Sequence, residues 1–242
     1  MEIQKRMKRK NRPYCAAVIV AAGSASRMGG VDKIMALLGG EPVILRTLQV
    51  FQDCEAIDEI VVVTRDDLVM PMNRLCAEGG ISKKTQIVVG GDERTESVMT
   101  GLSCVSERTL LVAIHDGARP LASRELITKA VEKAAQTGAA APAVPVTDTI
   151  KVARRGVIEA TPDRSTLMAV QTPQVFDVDL IRGALYKARQ EEIPLTDDCS
   201  AVERIGMKVH LTEGSYENRK ITTPIDLILA EAILSGTNTE EN

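Results

Sequence analysis

Three short segments of the 242-residue chain concentrate residues able to hold a polyanion: AAGSASRMGGVDK (21–33), GGDERTES (90–97) and HDGARP (115–120). The first is rich in Gly, Ala and Ser, which lets backbone N–H groups approach an anion closely, and it carries Arg27 and Lys33 within one short reach. It fits neither G-x-x-x-x-G-K-[ST] nor G-x-G-x-x-G, so the P-loop and dinucleotide fingerprints fail. Taken alone, a phosphate cradle and an ordinary surface loop are equal readings. The second segment sets two glycines and Asp92 between a strand and a helix start, and its plain reading is a turn with an N-cap. The third ends an apolar run with Asp116, where a Mg²⁺ ligand would stand close to phosphates, although a lone Asp there also suits a turn. His115 reads as a buried, hydrogen-bonded partner in preference to a catalyst. No Ser-His-Asp or Cys-His arrangement is evident.

These segments gain weight if the fold brings them together. CAAVIVA (15–21) is a continuous apolar run rich in β-branched residues, as in a parallel strand covered on both faces. It leads into the loop of residues 22–40, then a helix with Pro42 near its start, then a second buried strand at 59–64. The alternation continues with helices at 68–78, 93–105 and 123–137 and strands at 86–90, 109–114 and 139–146. Such alternation predicts an open, mostly parallel α/β sheet flanked by helices, whose ligands lie beyond the carboxyl ends of the strands. The three segments follow strands and should therefore converge. Between residues 148 and 172 the pattern breaks: DTIKVA and GVIEAT flank Arg154, Arg155 and Gly156 as a hairpin, a protruding β-arm. A helix at 177–190, a helix capped by Thr196 or Asp197, a strand at 207–214 and a last helix after Pro224 complete one domain of residues 14–236.

Composition narrows the function classes. The net charge of -3 comes from 30 basic and 33 acidic residues spread along the chain, so no global field favours nucleic acid or a membrane surface. Aromatic residues make up 2%, with no Trp, which leaves few stacking platforms for single strands. No window offers the ~20 apolar residues of a membrane helix. Cys15, Cys54, Cys76, Cys104 and Cys199 form no C-x-x-C pair and read as core fillers in a reducing, cytoplasmic setting. The basic tail, residues 1–13, followed by Ala16 to Ser26 loosely resembles an export signal. Pro13 and the short apolar run weigh against that, and the tail reads better as a frayed, solvated terminus; residues 237–242 form a second tail.

A-A-G-x-x-x-R-M-G followed by Lys33, GGDERxxSV, HDGARP, PVTDTIK, TPQ and NRKITTP, in this order, resemble the 2-C-methyl-D-erythritol 4-phosphate cytidylyltransferase family of non-mevalonate isoprenoid synthesis. The first loop marks nucleotidyltransferases in general; its combination with GGDER, HDGARP and the closing lysine segment is specific to this family and close relatives using other polyol phosphates. The resemblance implies a Rossmann-like nucleotidyltransferase fold, a homodimer through the β-arm, and transfer of CMP from CTP to a polyol phosphate. It implies that Ala22, Gly23, Gly91, Asp92 and Ser97 surround the cytidine, that Arg27, Lys33 and Lys220 hold the triphosphate, and that Asp116 fixes Mg²⁺ or another divalent cation. Arg119, Thr149, Thr196 and Lys220 would approach the acceptor, with Arg164 and Thr172 reaching it from the arm side.

The chemistry agrees with these implied roles. Attack of an acceptor phosphate on the α-phosphorus of CTP brings two anions together and needs positioning and charge neutralisation, with no obligatory protein nucleophile. Ala25 stands where the family has glycine, and Cys199 where alanine is common. Arg94, Arg154 and Arg155 read as structural or solvated. Two other functions compete: a ribitol 5-phosphate cytidylyltransferase and a non-enzymatic nucleotide-binding module on the same fold.

Overall fold

The apolar run after Tyr14 forms β1 (Cys15–Val20), hydrogen-bonded in parallel along both edges, to β4 (Glu59–Thr64) and β6 (Leu111–Asp116). Both faces of β1 are covered, which is why its sequence does not alternate: Cys15, Ala17 and Ile19 join one apolar cluster and Ala16 and Val18 another. The computed structural model describes residues 12–23 and 32–240. Arg27, Ala25 and residues 1–11 of the basic segment lie outside the described residues. Arg12, assigned to that segment by sequence, forms an ion pair with Asp58 at 2.7 Å.

The main sheet continues outward from β4 to β5 (Lys84–Val89), also parallel. On the other side of β6 the direction reverses: β11 (Gln174–Asp177) runs antiparallel between β6 and β7 (Ala139–Pro145). Ala143 pairs with both Val170 and Glu213, and Ala140 with both Val175 and His210. Hence β12 (His210–Glu213) takes one edge of β7, while β10 (Met168–Val170) and β11 share the other, end to end. The expected mostly parallel α/β sheet is present, with β10 and β11 as antiparallel strands that the sequence reading did not separate from the arm and the following helix.

Helices cover both faces. α1 (Val43–Asp53), α2 (Val69–Glu78) and α4 (Arg124–Thr137) place Ile44, Leu48, Phe51, Met72 and Ile127 on the first cluster. α3 (Arg94–Ser103), α5 (Val178–Gln190) and α6 (Asp198–Arg204) place Val98, Leu102, Ile181, Leu185 and Val202 on the second. The short β2 (Leu37–Leu38) and β3 (Glu41–Pro42) pair with each other, and α7 (Pro224–Glu240) rests on them through Ala230. β8 (Val152–Arg154) and β9 (Val157–Ala160) form the arm hairpin, joined by Arg155 (φ 49°) and Gly156 (φ 81°). Two positive φ values in a two-residue loop match the twist of the strands it joins. No helix among the described residues is long and apolar enough to cross a membrane.

Candidate active site

Register places the three segments side by side. Val20, the last residue of β1, pairs with Asp116, the last residue of β6. Ala21 donates its N–H to the Val63 carbonyl, Gly90 donates to Thr64, and Gly117 donates to Val20. A Cβ added at Gly90 would lie 2.6 Å from Ser97 Oγ and 2.8 Å from Ala22 Cβ, so only glycine lets the first two loops close on each other. Glu96 accepts the backbone N–H of Asp92 at 3.1 Å, which folds GGDER back onto the start of α3. After the first loop the chain is re-anchored by Asp32, whose carboxylate takes Arg65 at 2.6 Å.

One cleft at the carboxyl ends of the strands is lined by Ala22, Gly23, Lys33, Gly91, Asp92, Ser97, Asp116 and Lys220, together with Arg94. The expected convergence is therefore present for eight of the residues singled out from sequence. Arg119 and Lys220 line a neighbouring cleft with residues 144–148, Ile150 and Tyr216. Lys220 lines both.

Asp116 lies where the clefts meet, and its side chain is 11% exposed. Its Oδ2 faces Lys220 Nζ at 3.0 Å and Arg119 Nε at 3.5 Å, and its Oδ1 faces Arg94 Nε at 3.7 Å. Burial alone would raise this carboxyl, but Lys220, Arg94 and Arg119 outweigh it and hold the group at about 2. Burial lowers the Arg119 guanidinium, with Asp116 opposing. Lys220 reaches Asp116 because its segment is stitched down: Ile221 donates to the Ala118 carbonyl, Arg119 Nη1 donates to the Asn218 carbonyl at 2.6 Å, and the buried Asn218 amide donates to the Thr172 carbonyl at 2.9 Å.

Thr172 is buried beneath this carboxylate, its hydroxyl accepting the Asp116 N–H and bonding His115 Nδ1 at 3.1 Å. The other His115 nitrogen lies 3.2 Å from the Arg119 carbonyl, and Phe51 packs on the ring. Burial depresses the imidazole to about 4, so it is neutral near pH 7. His115 is thus the satisfied buried partner that its sequence context suggested. Arg164 is exposed on a 3₁₀ turn (Arg164–Thr166) and donates to the Thr147 carbonyl at 2.8 Å. Thr149 and Thr196 are exposed, and neither is among the residues lining the two clefts. The cap of α6 is Asp197, which accepts Ser200 N–H.

Of the two sequence readings of Arg94, structural or solvated, the structural one holds. Arg94 Nη1 and Nη2 donate to Asp198 Oδ1 and Oδ2 at 3.0 and 2.7 Å. Burial alone would lower its pKa, but Asp198 and then Asp116 more than compensate and raise it. Arg94, Asp198 and Asn218 were the residues missed; the first and last lie within GGDER and NRK, and Asp198 follows the residues weighed as a cap.

A family model described as "IspD: 2-C-methyl-D-erythritol 4-phosphate cytidylyltransferase" matches residues 15–236. The proteins of that name from Caldanaerobacter subterraneus subsp. tengcongensis and Halalkalibacterium halodurans are each 46% identical to this chain. The first match spans 90% of the chain and 98% of the relative, the second 91% and 96%. The crystal structure of 4-diphosphocytidyl-2C-methyl-D-erythritol synthase from Anaerococcus prevotii superposes with TM-score 0.84 at 32% identity, covering 92% of this chain and 99% of that one. The 2-C-methyl-D-erythritol 4-phosphate cytidylyltransferase of Thermus thermophilus superposes with TM-score 0.75 at 32% identity, covering 90% and 98%.

Proposed function

The chain belongs to the 2-C-methyl-D-erythritol 4-phosphate cytidylyltransferase family, and on that premise we propose that it transfers CMP from CTP to 2-C-methyl-D-erythritol 4-phosphate. It is a cytidylyltransferase acting on a polyol phosphate, so the non-enzymatic reading falls. The observation that carries the finer reading is the gathering of Lys220, Arg94 and Arg119 around Asp116, at the junction of the two clefts. An acceptor phosphate oxygen attacks the α-phosphorus of CTP in line; the new P–O bond forms as the α–β bridging bond breaks, and pyrophosphate departs with the electron pair. The chain supplies position and positive charge. Lys33, Lys220 and Arg27 neutralise the triphosphate. Ala22, Gly23, Gly91, Asp92 and Ser97 enclose the cytidine with backbone groups and short side chains.

Asp116 would hold Mg²⁺. That ion uses one or two carboxylates and completes its octahedron with phosphate oxygens and water. Asp116 fits, because its closest ion pairs, to Lys220 at 3.0 Å and Arg119 at 3.5 Å, fall on Oδ2, while the Arg94 Nε that faces Oδ1 stays at 3.7 Å, beyond hydrogen-bonding distance. Bound there, the ion would offset phosphate charge. Arg119, Thr149 and Thr196 serve the acceptor side, and Arg164 reaches it from the arm of a homodimer; Thr172, expected beside Arg164, is instead buried with its hydroxyl bonded to the Asp116 N–H and His115, and supports Asp116 from beneath. Exposed Val152, Val157 and Ile158 on the arm support that dimer. A cytoplasmic location is part of the same proposal, in keeping with five free cysteines.

The test is pyrophosphate release from CTP and Mg²⁺ with methylerythritol phosphate, compared with ribitol 5-phosphate by kcat/KM. A higher value for methylerythritol phosphate is expected. Preference for ribitol phosphate would move the assignment to that acceptor, and no turnover with either would reject it.

A further inference from the structure

Arg94 is shared unequally between two carboxylates. Its fork meets Asp198 at 2.7 and 3.0 Å, while its Nε stays 3.7 Å from Asp116 Oδ1. Asp198 is 1% exposed, and its backbone is fixed as well: Gln174 Oε1 accepts the N–H of both Asp198 and Cys199 at 3.0 Å, and Gln174 Nε2 donates to Asp197 at 2.8 Å. A guanidinium gripped bidentately by a carboxylate cannot swing without breaking two charge-assisted bonds. From this geometry we propose that Asp198 is a positioning residue that holds Arg94 back from Asp116 and so keeps Asp116 Oδ1 open to the divalent cation.

The inference rests on Asp116 as the metal carboxylate. Without the Asp198 charge, the strongest attraction left on Arg94 is Asp116, ahead of Asp197, and its Nε needs to move less than an ångström to reach hydrogen-bonding distance of Asp116. The guanidinium would then compete directly with the metal for Oδ1. Asp198 thus serves the metal without touching it, as partners of metal-binding carboxylates do. It also lies two residues after Thr196, so the same clamp ties the acceptor-side loop to the start of α3.

Mn²⁺ binding in the presence of CTP, followed by electron paramagnetic resonance of free Mn²⁺ without acceptor and without turnover, tests this directly. Asp198→Asn should weaken Mn²⁺ binding by about tenfold or more, within the range seen when partners of metal ligands are lost. Adding Arg94→Gln to Asp198→Asn removes the competing cation together with the buried charge, and should restore Mn²⁺ affinity to within about threefold of wild type. A purely structural role predicts no such rescue. Equal Mn²⁺ affinity in a folded Asp198→Asn variant, or loss of affinity in a folded double variant, overturns the proposal. The double variant decides the matter even if Asp198→Asn does not fold. No Mn²⁺ binding by the wild type with CTP would instead overturn the metal role of Asp116 on which the inference stands.

Discussion

At the scale of single residues, the site is a charge balance around one buried carboxylate. Asp116 cancels part of the field of Lys220, Arg94 and Arg119; on the proposed function, arriving phosphates take over Lys220 and Arg119 while Arg94 stays with Asp198. Lys220→Ala should therefore lower kcat/KM by roughly 10²- to 10³-fold, the size of a lost preorganised donor. Steady-state kinetics on a folded variant check this; a change under threefold would remove Lys220 from the reaction. His115 and Asp116, both buried in this corner, also contribute to acid stability. His115 has a folded pKa of about 4 against an ordinary 6.5, so the unfolded chain binds more protons between those values and stability falls as pH drops through that window. Asp116, at about 2 against 3.8, contributes stability that is complete above 3.8 and lost as pH falls toward 2. Urea midpoints measured from pH 7 to 2.5 should fall in both windows. His115→Gln should flatten the upper part and Asp116→Asn the lower. Arg94 shows why residue roles were only partly legible: an arginine at a helix start is ordinary, and what distinguishes it is a carboxylate 104 residues later in the chain.

At the scale of elements, glycine at position 90 decides how closely two loops approach. Gly90→Ala would press a methyl on Ser97 and Ala22, displacing the loops proposed to enclose the cytidine; on that proposal it should raise KM for CTP several-fold, and it should cost about 1–3 kcal/mol of stability, the usual size of overpacking. Nucleotide titration and urea melts would show both, and unchanged values would mean that the loops yield freely. Strands β1, β4 and β6 were readable because burial on both faces demands uninterrupted apolar runs. β10 and β11 were not, since three- and four-residue strands carry no periodic signal and their partners lie far along the chain. Likewise, Thr196 and Asp197 were equal candidates for the cap of α6 until Gln174, brought in by β11, bonded to Asp197.

At the scale of the molecule, the arm carries Val157 at 66% and Ile158 at 61% exposure, apolar surface that a lone chain leaves in water. Val157→Asp with Ile158→Asp should shift sedimentation from dimer to monomer, and should raise KM for the acceptor if Arg164 works across the interface. A wild-type monomer would remove the arm from assembly. What the sequence by itself determined was the alternation of strands and helices, the loops that hold charge and the arm hairpin, because these depend on local composition and on burial that leaves a linear trace. The tertiary structure alone decided which groups share Asp116, that Asp198 takes the fork of Arg94, and that an antiparallel strand enters between β6 and β7. Those outcomes turn on ångström-scale competition among residues far apart in the chain, where charge and hydrogen bonding act through space and sequence spacing carries no record of the distance.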